Sequence, residues 1–256
     1  EDPTRAIIAM SALMFFGEKF NLNEAKQDFK KNDYVIKIPE KKLNEIDCSE
    51  ILRAANLPVV KSLQIKNLDD LSSLFKNDDT KYVMKILSSD IQHKTEVGGV
   101  ILEIKNIDQA REAFKKIHKN VNEKAPKAII DGVMISPMIK GGIECILGAK
   151  IDPVFGPIVM FGLGGIYTEV MKDISFAEAP VSSEKAEKMI LSLKSKDVFF
   201  GTRGQPSVDI KSLITAIVNL SNLIAANFDR IDQVEMNPIL VSENSVIALD
   251  ALIVTK

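Results

Sequence analysis

Lys85-Ile-Leu-Ser-Ser-Asp-Ile-Gln-His-Lys-Thr-Glu-Val-Gly-Gly-Val100 is a loop of chemically expensive side chains set between two strand-like runs. Lys81-Tyr-Val-Met-Lys-Ile-Leu87 leads into it and Val100-Ile-Leu-Glu-Ile104 leads out, both apolar and β-branched as strands require. The loop holds His93, one of only 2 histidines, with Lys94 beside it and Gly98-Gly99 at its end. Adjacent glycines can adopt φ > 0 and turn successive N–H groups toward one point, a nest for phosphate oxygens. Lys85 on the strand, Lys94 next to the histidine, and the pair Gly98 and Gly99 therefore suggest anion handling. Standing alone, the same features would be a turn carrying a solvated histidine.

The composition limits what this loop can serve. At 256 residues the chain has room for one large domain or two lobes, and with 46% hydrophobic but only 6% aromatic residues the cores are aliphatic. Basic and acidic residues number 33 and 35, a net charge of -2, so nothing in the electrostatics favours a nucleic-acid partner. Cys48 and Cys145 are too few for a disulfide framework and point to a reducing compartment, the cytoplasm. No apolar run is long enough to span a bilayer, so no membrane partner is expected, and Glu1-Asp2-Pro3 is not a signal peptide. Without an initiator methionine, the chain is expected to be a piece of a longer one.

In chain order, the apolar spacing of residues 3–16 predicts a helix ended by Gly17, and residues 18–44 read as a polar linker apart from Tyr34-Val-Ile-Lys-Ile38. Helical spacing returns from Leu43 to Leu57. Two segments echo each other, Lys66 to Phe75 and Lys105 to Phe114, each predicted to be a helix after a strand, with Asn106 and Gln109 as a capping-box variant. His118 falls among Lys115, Lys116 and Lys119 and reads as a solvated helix face. The Ala125-Pro126 break separates an expected first lobe, 43–125, from a second, 126–256, that is mainly strands followed by two helices. Residues 1–42 are expected to be the tail of a preceding domain and a linker. The glycines of Phe161-Gly-Leu-Gly-Gly165 lack the third member of a dinucleotide fingerprint, and Gly201-Thr-Arg-Gly-Gln-Pro206 holds Arg203 between glycines.

The last stretch carries a geometric argument. Ile231 to Val241 and Val246 to Val254 read as two strands joined by a turn at Glu243-Asn244, which sets Asn237 opposite Asp250 and Glu235 opposite Leu252. Period-2 alternation places Glu235, Asn237 and Asp250 on one face. Opposed Cβ atoms lie about 5 Å apart, close enough for an amide oxygen and a carboxylate to share one Mg²⁺ at roughly 2.1 Å. Pro238 beside Asn237 breaks the ladder there, as it would at a bulge or an edge.

Three motifs in order, Ser-Ser-Asp-Ile-Gln-His-Lys-Thr-Glu-Val-Gly-Gly-Val (88–100), Phe-Gly-Leu-Gly-Gly-Ile-Tyr-Thr-Glu-Val-Met-Lys-Asp-Ile-Ser-Phe (161–176), and Glu-Met-Asn-Pro (235–238) with Leu-Asp-Ala (249–251), carry a resemblance. From about Leu43 to the C-terminus the chain resembles the ATP-grasp part of ADP-forming acyl-CoA synthetases, relatives of succinyl-CoA synthetase. The resemblance implies an α+β, two-lobed ATP-grasp fold preceded by a short helix and linker, residues 1–16 being similar to the end of a CoA-ligase half. It implies an acid-thiol ligase that forms acyl-CoA from a carboxylic acid, CoA and ATP. In it an acyl phosphate passes its phosphoryl group to a histidine of the other half, and His93 matches the second histidine that relays the group to ADP. Glu235 matches an acidic residue that orients a phosphohistidine. Lys85, Lys94, Gly98, Gly99, Glu144 and Arg203 match nucleotide or phosphate contacts, and Asn237 and Asp250 match the Mg²⁺ ligands. CoA would bind the partner half, fused upstream or a separate alpha subunit, in a hetero- or homo-oligomer.

Two other readings stay open on the residues: a carboxylate ligase with no histidine relay, and a regulatory ATP-grasp-like module of a protein acyltransferase. The joint presence of His93, Lys85, Asn237 and Asp250 argues against both.

Overall fold

The computed structural model describes residues 31–256 other than 74, 76–79, 92, 166–172 and 202–205. The N-terminal helix read over 3–16 and Arg203 lie outside the described residues. Two sheets, each with its own core, organise the rest. The first has the order β1 (Leu63–Ile65), β4 (Gly132–Pro137), β2 (Tyr82–Leu87), β3 (Val100–Ile104), all antiparallel. One face is covered by α2 (Ile107–Lys124), whose Ala110, Ala113, Ile117 and Val121 recur at helical spacing and meet Met84, Ile86 and Ile104. Because side chains alternate along a strand, burying Met84 and Ile86 under α2 turns Lys85 to the opposite face.

The second sheet runs β10 (Leu252–Thr255), β8 (Ile231–Val241), β5 (Ile143–Asp152), β6 (Gly156–Leu163), β7 (Ile174–Glu178), with β9 (Val246–Ala248) also paired to β8. α3 (Ser183–Leu191) and α4 (Ile210–Ala226) pack on it, capped by Ser182 and Asp209. α4 buries Leu213, Ile217, Leu220 and Ile224 against the inward residues Cys145, Leu147, Val159 and Phe161. Among the described residues no helix is long and apolar enough to cross a membrane.

Three expectations change. β4 belongs to the first sheet, between β1 and β2, so the Ala125-Pro126 break ends a helix and not a lobe. α1 (Glu45–Ala54), capped by Asn44 and Asp47 in a reciprocal box, lies with Cys48, Ile51 and Leu52 in the core of the second sheet although it precedes the first. Pro58 to Val60 follow it there and hydrogen-bond to Ala248. Within the 1–42 region assigned to a tail and linker, the run set apart there, Tyr34 to Ile38, docks: Asn227 bonds to the backbone of Tyr34 and Ile36, and Ile38 is buried.

Smaller differences have local causes. Leu68–Ser73 is a 3-10 turn because Asp70 accepts the N–H groups of Lys66 and Asn67. In α2 Asn106 caps Gln109, but the Gln109 side chain accepts from Lys105 N, one residue before the cap. His118 is half-buried, its ring tilted 48° against Phe114 with centroids 4.5 Å apart, and burial lowers its pKa.

Candidate active site

The face of β2 that carries Lys85 looks onto the end of the second sheet where β8, β9 and β10 meet. β10 pairs with β8 as Leu252 with Glu235, and β9 pairs with β8 as Ile239 with Ala248, the register anticipated from the Glu243-Asn244 turn. Between those ladders the pairing stops. Asn237 and Pro238 on one side and Leu249 to Ala251 on the other form the gap, bridged by the Leu249 N–H donating to Pro238 O. Asp250 is thus held on a short unpaired corner facing the first lobe.

Four side chains meet at that corner. Lys85 Nζ lies 3.1 Å from Glu45 Oε1 and 3.4 Å from Asp250 Oδ2, and donates to Leu249 O at 2.7 Å. Lys94 Nζ lies 2.8 Å from Glu45 Oε2 and 3.4 Å from Asp250 Oδ1. Burial, the largest influence on Glu45, pushes its carboxyl pKa up against the pull of Lys85. Burial acts the same way on Asp250, but Lys85 and Lys94 outweigh it and hold that carboxyl below its ordinary range. Burial would lower the Lys94 pKa, yet Glu45 and Asp250 raise it, so its ammonium is kept charged.

A cavity of about 480 Å³ opens over this cluster. His93, Lys94, Glu235, Asn237 and Asp250 line it together with Glu45, Ser88 and Ser89. His93 is exposed while its neighbour Lys94 is tucked in, so the loop presents an imidazole to the cavity from a backbone that is anchored. Asn237 Nδ2 donates to Glu235 Oε1 at 3.1 Å, which leaves the amide oxygen as the free donor atom of that side chain toward a cation.

The described residues contain no group of three or more His, Cys, Asp or Glu arranged for a metal ion. Mg²⁺ is commonly held by one or two protein oxygens plus substrate phosphates and does not call for such a group. The oxygen donors of Asp250 and Asn237 fit it.

Other expected contacts fall elsewhere. Gly98 and Gly99 do not line the cavity, and their N–H groups are already given to Thr95 O and Lys94 O. Gly98 sits at φ 67 with its carbonyl accepting from Asn120, and a Cβ on Gly99 would come within 2.6 Å of Ile86. The pair therefore shapes the turn and packs it, with both N–H groups engaged inside the loop. Glu144 stands away from the cavity on β5, where its carbonyl accepts from Gly164 N and its carboxylate lies near Gly165. Lys85 is behind the lining rather than in it. Glu45 carries no mark in the sequence beyond being an acid in the first turn of a helix.

An ATP-grasp domain model matches residues 35–255. The chain is 40% identical over 84% of its length to the acetate–CoA ligase (ADP-forming) I subunit beta of Pyrococcus furiosus, covering 92% of that subunit. It belongs to the ADP-forming CoA ligase family, as the ATP-grasp part. It is also 42% identical over 88% of its length to the ADP-forming 4-hydroxybutyrate–CoA ligase of Nitrosopumilus maritimus, but spans only 32% of that protein. Among solved structures it is similar to the dinucleotide forming acetyl-coenzyme A synthetase 1 of Ca. Korarchaeum cryptofilum in complex with coenzyme A and Ca-AMPCP, with a TM-score of 0.78, 31% identity, and coverage of 84% of this chain and 93% of that one. The same synthetase with Mg-AMPPCP, its phosphohistidine segment pointing towards the nucleotide binding site, matches with a TM-score of 0.70 and 28% identity over 83% of this chain and 92% of that one. The ATP-grasp fold read from the motifs is thus the fold of the family.

Proposed function

We propose that this chain is the nucleotide-binding half of an ADP-forming acyl-CoA synthetase, moving a phosphoryl group between His93 and ADP or ATP while a CoA-binding half handles the acyl chemistry. The observation that carries the reading is the convergence of His93 and Lys94 from the first lobe with Asn237 and Asp250 from the second on one cavity. Phosphoryl transfer asks a protein mainly to place the partners and neutralise charge, and these are the groups that do so. In the ATP-consuming direction a nitrogen lone pair of the neutral His93 ring forms the N–P bond as the bond from the γ-phosphorus to the β–γ bridging oxygen breaks and ADP leaves. The other ring nitrogen keeps its proton, for which Glu235 is the nearby carboxylate acceptor. Lys85 and Lys94 offset phosphate charge. Asn237 and Asp250 would hold Mg²⁺, which when bound supplies further neutralisation. Glu144 and Arg203 are assigned to the nucleotide by the family resemblance, and Gly98 and Gly99 to shaping the loop that bears His93. A CoA-binding half, fused or separate, is the expected partner in an oligomer.

The test is label transfer. Incubated with Mg-ATP labelled at the γ-phosphate, the chain should acquire acid-labile, base-stable phosphate on His93 and return it to added ADP. His93→Ala should lose the label yet keep its affinity for Mg-ADP. Label in the His93→Ala protein equal to the parent would overturn the relay.

A further inference from the structure

The relay reading requires a histidine that can leave its cavity, and the fastening of its loop is visible at one residue that neither the motifs nor the relatives' names mark. We propose that Glu45 is the seat of Lys94, a positioning residue whose buried carboxylate keeps the His93 loop docked and whose release lets it go. Glu45 is the first residue of α1, a helix fixed in the second core by Cys48 and Leu52, and is only 5% exposed. Its two ion-pair partners come from elsewhere: Lys85 from a first-sheet strand and Lys94 from the loop. Of the loop's other fastenings, Gly98 O accepts from Asn120 and Glu96 O from Lys124, both on α2, Ile91 is buried in the first core, and Asp90 pairs at the surface with Lys42, just before the buried Leu43. Lys94 alone, among the described loop residues, reaches into the second core from the loop's middle, one residue from His93. It lies 2.8 Å from Glu45 and 3.4 Å from Asp250, so Glu45 is the closer counter-charge.

The pairing has a physical logic. A buried ammonium without a carboxylate is strongly disfavoured. When Asp250 turns to a cation, Glu45 leaves both lysines paired, and the loop remains docked with its positive charge next to incoming phosphate. Undocking then requires one event, exchange of Glu45 for another anion at Lys94. The phosphoryl group that the loop carries is such an anion.

The proposal rests on the relay only for why the loop must move, and it can be tested without nucleotide. Amide hydrogen exchange of the whole chain reads the Glu96, Gly98 and Gly99 N–H groups, which bond to His93, Thr95 and Lys94 carbonyls inside the loop. Glu45→Gln should speed their exchange about tenfold, with α1 amides still protected. Lys94→Met, which removes the same pair from the loop side, should do likewise, whereas Asp250→Asn should change loop exchange far less. Unchanged loop exchange in Glu45→Gln overturns the proposal. So does acceleration that spreads through α1 while Lys94→Met is silent, or an equal effect from Asp250→Asn. If Glu45→Gln fails to fold, the Lys94→Met and Asp250→Asn arms decide.

Discussion

A Cβ on Gly99 would lie 2.6 Å from Ile86 Cγ2 and 3.0 Å from the Lys94 carbonyl, so the closest obstacles are a fully buried side chain and backbone. Gly99→Ala must push β2 and the loop apart, an overpacking cost of about 1–3 kcal/mol that urea denaturation would measure. Because the Gly99 N–H is already given to Lys94 O, the folded Gly99→Ala protein should bind Mg-ADP as the parent does. Lost affinity at unchanged stability would restore the phosphate-nest reading. Residues whose roles depend on strand alternation were legible at this scale. Lys85 must oppose Met84 and Ile86, and Glu235 must pair with Leu252 once the turn is located, since both follow from a period of two over a few residues, whereas Asn237 and Asp250 fall in the gap where the ladder stops. Glu45 was not legible. Its partners Lys85 and Lys94 lie far along the chain, and an acid in a helix's first turn looks the same whether it complements the helix dipole at the surface or sits buried under two lysines.

Elements joined by short turns were placed from local sequence, and those joined by long excursions were not. The β8 pairing register followed from one polar turn, yet β4 was assigned to the wrong lobe because its neighbours β1 and β2 are set by distant pairing that no periodicity reports. Asp173 shows how a loop residue ties elements. Buried just ahead of β7, it accepts the N–H groups of Lys194 and Ser195 at 2.9 and 2.8 Å and the Ser195 hydroxyl, so it fastens the turn after α3 to the edge of the second sheet. Burial alone would raise its pKa, but these hydrogen bonds win and hold it below the ordinary carboxylate range. A carboxylate depressed on folding stabilises fully above its unfolded pKa and loses that contribution as pH falls through the folded value. Asp173→Asn should therefore cost about 1–3 kcal/mol at neutral pH, the scale of a buried acceptor bonded to several donors. Urea melts should show the gap between parent and variant closing below about pH 4, near the unfolded Asp pKa. A gap that widens on acidification would show that Asp173 is not held ionised by these donors.

The chain crosses between its two cores rather than filling them in turn: α1 enters the second, β1 to β4 build the first, and β5 to β10 return to the second. The His93 loop, α1 and the β8 to β10 corner are thereby brought to one cavity by a single polypeptide, so its ligands should need nothing from outside. That cavity's polar lining, Lys94 facing the carboxylates of Glu45, Glu235 and Asp250 with the Asn237 amide and the His93 imidazole, suits phosphate and a divalent cation. The chain alone should accordingly bind Mg-ADP, seen by titration calorimetry, with much weaker binding when EDTA removes the metal. Under the same conditions it should form no acyl-CoA from carboxylic acid, ATP and CoA, and synthesis should begin only when a CoA-binding half is added. Acyl-CoA synthesis by the purified chain on its own would place the whole reaction within these residues and sink the division of labour between halves.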